Sequence, residues 1–118
     1  MRSTDPAVQV KATEALGDAV NSENDVSALV SLARSHSRAE VRREAIETLG
    51  NVHEESAVGA LIAIARNDAY PELRRAAIEA LGDQHNAVAF EALRSIALGN
   101  GPEHARVRRR AVEILSER

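Results

Sequence analysis

Two nearly identical stretches decide the fold of this 118-residue chain: EVRREAIETLGN at residues 40–51 and ELRRAAIEALGD at residues 72–83. Their apolar register occurs four times, with intervals of 33, 32 and 34 residues between the first positions. The recurring positions are Val8, Ala12 and Leu16; Val41, Ala45 and Leu49; Leu73, Ala77 and Leu81; and Val107, Ala111 and Leu115. A near-constant repeat of this length indicates stacked supersecondary units.

A second apolar pattern lies between these stretches and repeats every 32 residues. Its positions are Val26, Leu29, Leu32 and Ala33; Val58, Leu61, Ile64 and Ala65; and Phe90, Leu93, Ile96 and Ala97. Spacings of three and four residues place each set on one face of a helix, so each repeat holds two amphipathic helices. The sequence therefore predicts one all-α domain over residues 1–118, with helices at about 5–17, 24–34, 39–50, 55–66, 71–82, 87–98 and 103–117.

Glycine and proline residues mark the expected helix ends. Gly17, Gly50 and Gly82 each follow the last periodic leucine, which predicts left-handed C-caps at these positions. The proline of TDP at residues 4–6, and that of YPE at residues 70–72, predict helix starts.

The composition excludes several classes of function. Without cysteine the chain has no disulfide, no thiolate nucleophile and no cysteine-based zinc site. No stretch is apolar for long enough to span a bilayer. The net charge of −3 is mild, acids and bases are mixed along the chain, and Tyr70 and Phe90 are the only aromatic residues. We therefore expect neither a nucleic-acid nor a membrane partner.

The segments AEVRREAIETLGNVHEESAVGALIAIA (39–65) and PELRRAAIEALGDQHNAVAFEALRSIA (71–97) resemble HEAT repeats, of the short type also found in phycobilisome lyases. The resemblance implies a right-handed α-solenoid of about 3.5 repeats. It also implies that the V-R-x-x-A-x-x-x-L-G helices line the concave face. The motif is specific for the fold and says little about function.

Three rows of residues then step along the concave face. They are Val10, Arg43, Arg75 and Arg109; Glu14, Glu47, Glu79 and Glu113; and Lys11, Glu44, Ala76 and Arg110. Arginine and glutamate of the first two rows are four residues apart, which predicts ion pairs within each helix. Two interpretations remain open: an ordinary solvated face, or a charged groove that binds a partner carrying both signs.

Two other sets have a structural and a surface interpretation. The resemblance implies that Arg42, Arg74 and Arg108 bond to a loop acid, and Asp68 is suited to meet Arg74. The stretch SAVGALIAIA at residues 56–65 carries no charge and offers Gly59, Ala60 and Ala63 on its outer face. This strip is either a smooth alanine surface or a contact with a partner or a second copy.

The sequence predicts no catalytic residue, cofactor or metal site. His53 and His85 occupy equivalent loop positions one repeat apart, which is too wide a spacing for one ion unless the loops lean together. HEAT-like di-iron hydroxylases place His-Glu pairs on the V-R helices, where this chain has Arg43-Glu44, Arg75-Ala76 and Arg109-Arg110.

The leading hypothesis is a non-enzymatic interaction scaffold, with the cytoplasm as the expected location. The alternative is a structural or oligomerisation segment of a longer regulatory protein. The predicted helix at 5–17 has no preceding outer helix, so the array would open on half a repeat. We expect either more chain upstream or self-association through this half-repeat.

Overall fold

The computed structural model describes residues 23–35, 37–99 and 105–117. These contain six helices and no strand: α1 (Glu23–Ser35), α2 (Ala39–Leu49), α3 (Glu55–Asn67), α4 (Pro71–Gln84), α5 (Ala87–Leu98) and α6 (Ala105–Ser116). Their ends lie within two residues of the ranges expected from the apolar period. The predicted helix at 5–17 and the row members Val10, Lys11 and Glu14 lie outside the described residues. The half-repeat hypothesis concerns the same residues and stays a prediction.

The helices alternate between two layers. We call α2, α4 and α6, which carry the predicted arginine row, the arginine layer; α1, α3 and α5 form the alanine layer. Each helix of one layer packs against its partner in the other, and successive helices within a layer also touch. Contacts within the arginine layer are the more extensive. Closer spacing on one side bends a stack toward that side.

The core runs continuously between the layers, as the shared apolar register predicts. Leu29, Leu61 and Leu93 of the alanine layer are fully buried, and so are Leu49 and Leu81 of the arginine layer. All five leucines belong to one hydrophobic cluster that includes residues of every described helix. No hairpin therefore buries its stripe alone.

The predicted left-handed caps at Gly50 and Gly82 are wrong. Gly50 has φ −59° and ψ −23°, an ordinary right-handed helical conformation, and Gly82 lies inside α4. The left-handed residue after α4 is instead His85, at φ 52°. Both glycines serve close packing within the arginine layer. A Cβ on Gly50 would lie 3.0 Å from the Ala80 Cβ, and one on Gly82 would lie 2.8 Å from the Ile114 Cγ2.

A buried glutamine joins α2 to α4. Gln84 is 3% exposed, and its Nε2 donates to the backbone oxygens of Leu49 at 2.8 Å and Val52 at 3.0 Å. These carbonyls lie at and just beyond the C-terminus of α2, where carbonyls lack the usual helical partners. The Leu49 oxygen also accepts from the Val52 N–H at 3.0 Å. The Gln84 Oε1 lies 3.1 Å from the His53 Nδ1. One side chain thus ties the α2–α3 loop to the end of α4.

The register also shows where the stack is uncovered. Ile46 and Ile78 are fully buried at matching positions of α2 and α4. Val112 occupies the same position of α6 and is 50% exposed. Leu115, the counterpart of Leu49 and Leu81, is only partly buried. The outward face of α6 therefore keeps the apolar character of a packing face.

Candidate functional site

The predicted arginine and glutamate rows lie on the solvent side of the arginine layer. Arg43, Arg75 and Arg109 are exposed, one on each helix. Glu47 and Glu113 are exposed as well, and Glu79 is half-buried. Each pair falls on an outward face because the opposite face is committed to the shared leucines.

Only one of the predicted pairs within a helix forms. The Arg43 Nε donates to the Glu47 Oε1 at 3.1 Å, with both side chains largely exposed. Such a pair stabilises a helix by a few tenths of a kcal/mol, about 0.3–0.5. Within the described ranges, Arg75 makes no ion pair with Glu79, and Arg109 makes none with Glu113.

Arg110 takes both remaining carboxylates, which explains the difference. Its Nε donates to the Glu79 Oε1 across the α4–α6 boundary at 2.9 Å. Its Nη1 donates to the Glu113 Oε2 one turn along α6 at 3.0 Å. The fork of the guanidinium suits two acceptors at once, and Arg110 is the less exposed of the competing arginines. Its counterpart on α4 is the buried Ala76, so the third row carries no charge there.

Because Arg110 pairs with both carboxylates, the charges that remain unpaired on this face are positive. The hydrogen bond to Glu113, reinforced by Glu79 and opposed by desolvation, raises the pKa of Arg110 above its ordinary value. Arg75 and Arg109 are left as exposed guanidinium groups with no partner among the described residues. Arg75 also lines a cavity of about 410 Å³ between the first turns of α4 and α6, together with Glu72 and Arg106. This surface can receive carboxylates.

The second arginine set is structural, although its bonding differs from the prediction. The Asp68 carboxylate pairs with Arg42 of the preceding repeat, and Arg74 donates instead to the Asp68 backbone oxygen. The reason is that Arg42 projects from α2 to the end of α3, where its Nη2 reaches Asp68 while its Nε reaches the Ala33 oxygen at 2.8 Å.

All three arginines of this set meet a carbonyl at or beyond the end of an alanine-layer helix. Arg42 bonds to Ala33, Arg74 to Asp68, and Arg108 to Gly99 at 3.4 Å. A cation there complements the helix dipole and satisfies carbonyls that lack helical partners. These side chains hold the hairpins together and offer little to a partner.

The predicted outer strip on α3 is smaller than expected. Ala60 is 6% exposed and packs into the interior, so its inclusion was wrong. A helix in the middle of a layer is covered on both flanks as well as beneath, which widens its buried arc. Gly59 is exposed, and Ala63 is partly buried beside Arg34 and Arg42.

The two loop histidines have separate surroundings. His53 bonds to Gln84, and the His85 ring meets the Phe90 ring edge-on at a centroid distance of 6.4 Å. Within the described ranges no three His, Asp or Glu side chains cluster as metal ligands would. Among the described helices, none has the length and apolar character needed to cross a bilayer.

Comparison with known families agrees with this architecture. A family model described as HEAT repeats matches residues 1–82 and again residues 58–118. The matches overlap and together cover the chain, which belongs to the HEAT-repeat family. No curated protein matches the chain. HEAT repeats commonly act as protein-interaction scaffolds, because stacked hairpins create extended binding surfaces. They are typically non-enzymatic.

Proposed function

We propose that the chain is a protein-binding scaffold whose docking surface is the solvent face of the arginine layer. The partner is a protein or peptide that places carboxylates against Arg75 and Arg109. The observation that carries this proposal is the capture of Glu79 and Glu113 by Arg110, which leaves those two cations available. The groove residues are Arg43, Glu44, Glu47, Arg75, Glu79, Arg109, Arg110 and Glu113.

The proposed architecture extends beyond the described residues. The full array is a right-handed solenoid of about 3.5 short repeats and seven helices, of the type also found in phycobilisome lyases. In this arrangement the arginine layer is concave. Its more extensive contacts and its two glycine crossings support that curvature.

A pair of charge reversals tests the docking surface. In the variant Arg75→Glu/Arg109→Glu, capture of partners from the native lysate should be lost, while the helical melting transition stays within a few degrees. The free cations supply the contacts, so capture by the wild type should also weaken in high salt. The readout is quantitative mass spectrometry of the captured proteins.

The matched control is Arg66→Glu/Arg94→Glu, which changes the net charge equally on exposed arginines of the alanine layer. This control should retain capture. If both double variants capture the same proteins as the wild type, the arginine face is not the docking surface. If both lose capture equally, overall charge rather than the groove is responsible, and the proposal also fails.

A second candidate function, end-to-end association, is supported by the uncovered face of α6. Val112 exposes an aliphatic side chain at the position where Ile46 and Ile78 are fully buried. A second helical array in the same register would cover it. Sedimentation of the wild type beside Val112→Glu distinguishes this function, because only the wild type should associate.

A further inference from the structure

A second groove lies between the N-terminal halves of α3 and α5, in the alanine layer. It encloses about 620 Å³ and contains no residue of the arginine or glutamate rows. Val58, Ile62 and Val88 supply its apolar walls, and His53, Glu54 and Glu55 lie along its rim. Its volume falls within the roughly 300–1,000 Å³ typical of pockets that bind ligands.

One position of α3 along this groove carries no side chain. Gly59 is exposed, and a Cβ built on it would meet nothing within 4 Å. Contacts between α3 and α5 are also sparser than those between α2 and α4. Opposite the glycine, Val88 is 63% exposed in the first turn of α5. An apolar wall therefore faces solvent across a gap that the fold leaves unfilled.

The preceding repeat supplies an internal control for these residues. Thirty-two residues upstream, Gly59 corresponds to Ser27 and Val88 corresponds to Ser56, and both serines are exposed. The fold accordingly accepts polar side chains at these two positions. The apolar character of the α3–α5 groove is not a requirement of the core.

The charge on the rim is acidic. Glu54 and Glu55 are exposed, and neither makes an ion pair with another described residue. The neighbouring amides are already engaged, because Gln84 donates to the carbonyls of Leu49 and Val52 and the Asn86 Oδ1 accepts from the Ala89 N–H at 2.8 Å. The remaining ionisable side chain of the lining is His53. Two carboxylates beside an apolar cleft complement a cationic partner.

We propose that this groove is a second docking site, which binds a protein segment presenting aliphatic side chains flanked by arginine or lysine. The aliphatic side chains enter between Val58, Ile62 and Val88, and the absent side chain of Gly59 lets the bound backbone approach α3. The flanking cations pair with Glu54 and Glu55. This site is independent of the arginine face and selects the opposite charge.

The test is an NMR titration of the isotope-labelled chain with three capped hexapeptides: RRLLRR, its acidic counterpart EELLEE, and its polar counterpart RRSSRR. Saturable shifts at Gly59, Ile62 and Val88 are expected with RRLLRR alone. The Val88→Ser variant, which copies the preceding repeat, should weaken binding about tenfold through lost apolar contact. The Glu54→Gln/Glu55→Gln variant should weaken it roughly three- to fivefold, and salt should do the same to the wild type.

The control is Ser56→Ala, an exposed change at the matching position of the other repeat, which should leave the affinity unchanged. The proposal is overturned if RRLLRR produces no saturable shift or shifts residues outside the groove. It is equally overturned if EELLEE or RRSSRR binds as tightly, or if Val88→Ser binds RRLLRR as the wild type does. Helical circular dichroism of each variant verifies that the comparison is between folded chains.

Discussion

The α2–α4 and α4–α6 junctions share a backbone arrangement but are fastened by different side chains. Each has a glycine at the crossing, Gly50 in one and Gly82 in the other. At α2–α4 the fastening is the buried amide of Gln84, whereas at α4–α6 it is the partly exposed ion pair of Arg110 with Glu79. The repeat thus fixes how closely helices approach and leaves the chemistry of the joint free to vary.

The largest expected effect concerns the leucines at the two junctions. Leu49→Ala and Leu81→Ala should each lower the free energy of unfolding by about 2–5 kcal/mol, because both side chains are fully buried. Leu115→Ala, at the matching position of α6, should cost distinctly less. Urea unfolding followed by circular dichroism measures all three. Equal losses at the three positions would mean that Leu115 is covered in solution.

The Gln84→Ala variant breaks the α2–α4 joint. It removes the amide donor from the Val52 oxygen and one of the two donors from the Leu49 oxygen, which keeps the Val52 N–H. Unfolding should become easier by about 1–3 kcal/mol. Asp83→Ala, the exposed neighbour, is the control and should change stability by less than about 0.5 kcal/mol. A Gln84→Ala variant as stable as this control would show that water replaces the amide at no cost.

Alanine substitutions at three glycines separate packing from helix propensity. Gly50→Ala should destabilise by about 1–3 kcal/mol, since its Cβ would press on the Ala80 backbone at 3.1 Å. Gly82→Ala should destabilise too, and adding Ile114→Ala should recover part of the loss in a double-mutant cycle. Gly59→Ala meets open space and should instead stabilise by about 0.5–1 kcal/mol. Thermal melts of the variants give the order, and a stabilised Gly50→Ala would refute the close-packing role.

The smallest expected effect is at the ion pair. Glu79→Gln should cost less than about 1 kcal/mol at low salt, because the pair is partly solvated. That loss should disappear in 1 M salt, where screening acts within about 3 Å. The loss from Gln84→Ala should persist in the same buffer. If the stability lost in both variants is independent of salt, the α4–α6 joint is not held by electrostatic attraction and does not differ from the α2–α4 joint in that respect.

The apolar period predicted the helices and the shared leucines because burial alone sets both. The apolar period gave wrong predictions where the same residue type suits two different structural roles. A glycine after the last leucine fits a left-handed cap, but Gly50 and Gly82 serve the approach of a neighbouring helix, which no pattern within one helix reveals. The in-helix spacing likewise could not predict that Arg110 would reach across to Glu79.

Residues outside the repeat were missed altogether. Gln84 corresponds to Val52 one repeat earlier, so the register says nothing about a buried amide there. The sequence hinted at Gln84 only by placing a neutral polar residue just beyond the predicted helix at 71–82. The α3–α5 groove was missed for the same reason: Val88 replaces a serine, and a comparison between repeats was needed to see it.

The hydrogen bonds of Gln84 also determine the tautomer of a histidine. Both hydrogens of its amide nitrogen are used by the carbonyls of Leu49 and Val52, so the amide oxygen must act as the acceptor toward His53. The His53 Nδ1 therefore carries the hydrogen in the neutral ring, and the lone pair resides on Nε2. The joint between α2 and α4 thus fixes which nitrogen of the loop histidine donates and which remains an acceptor.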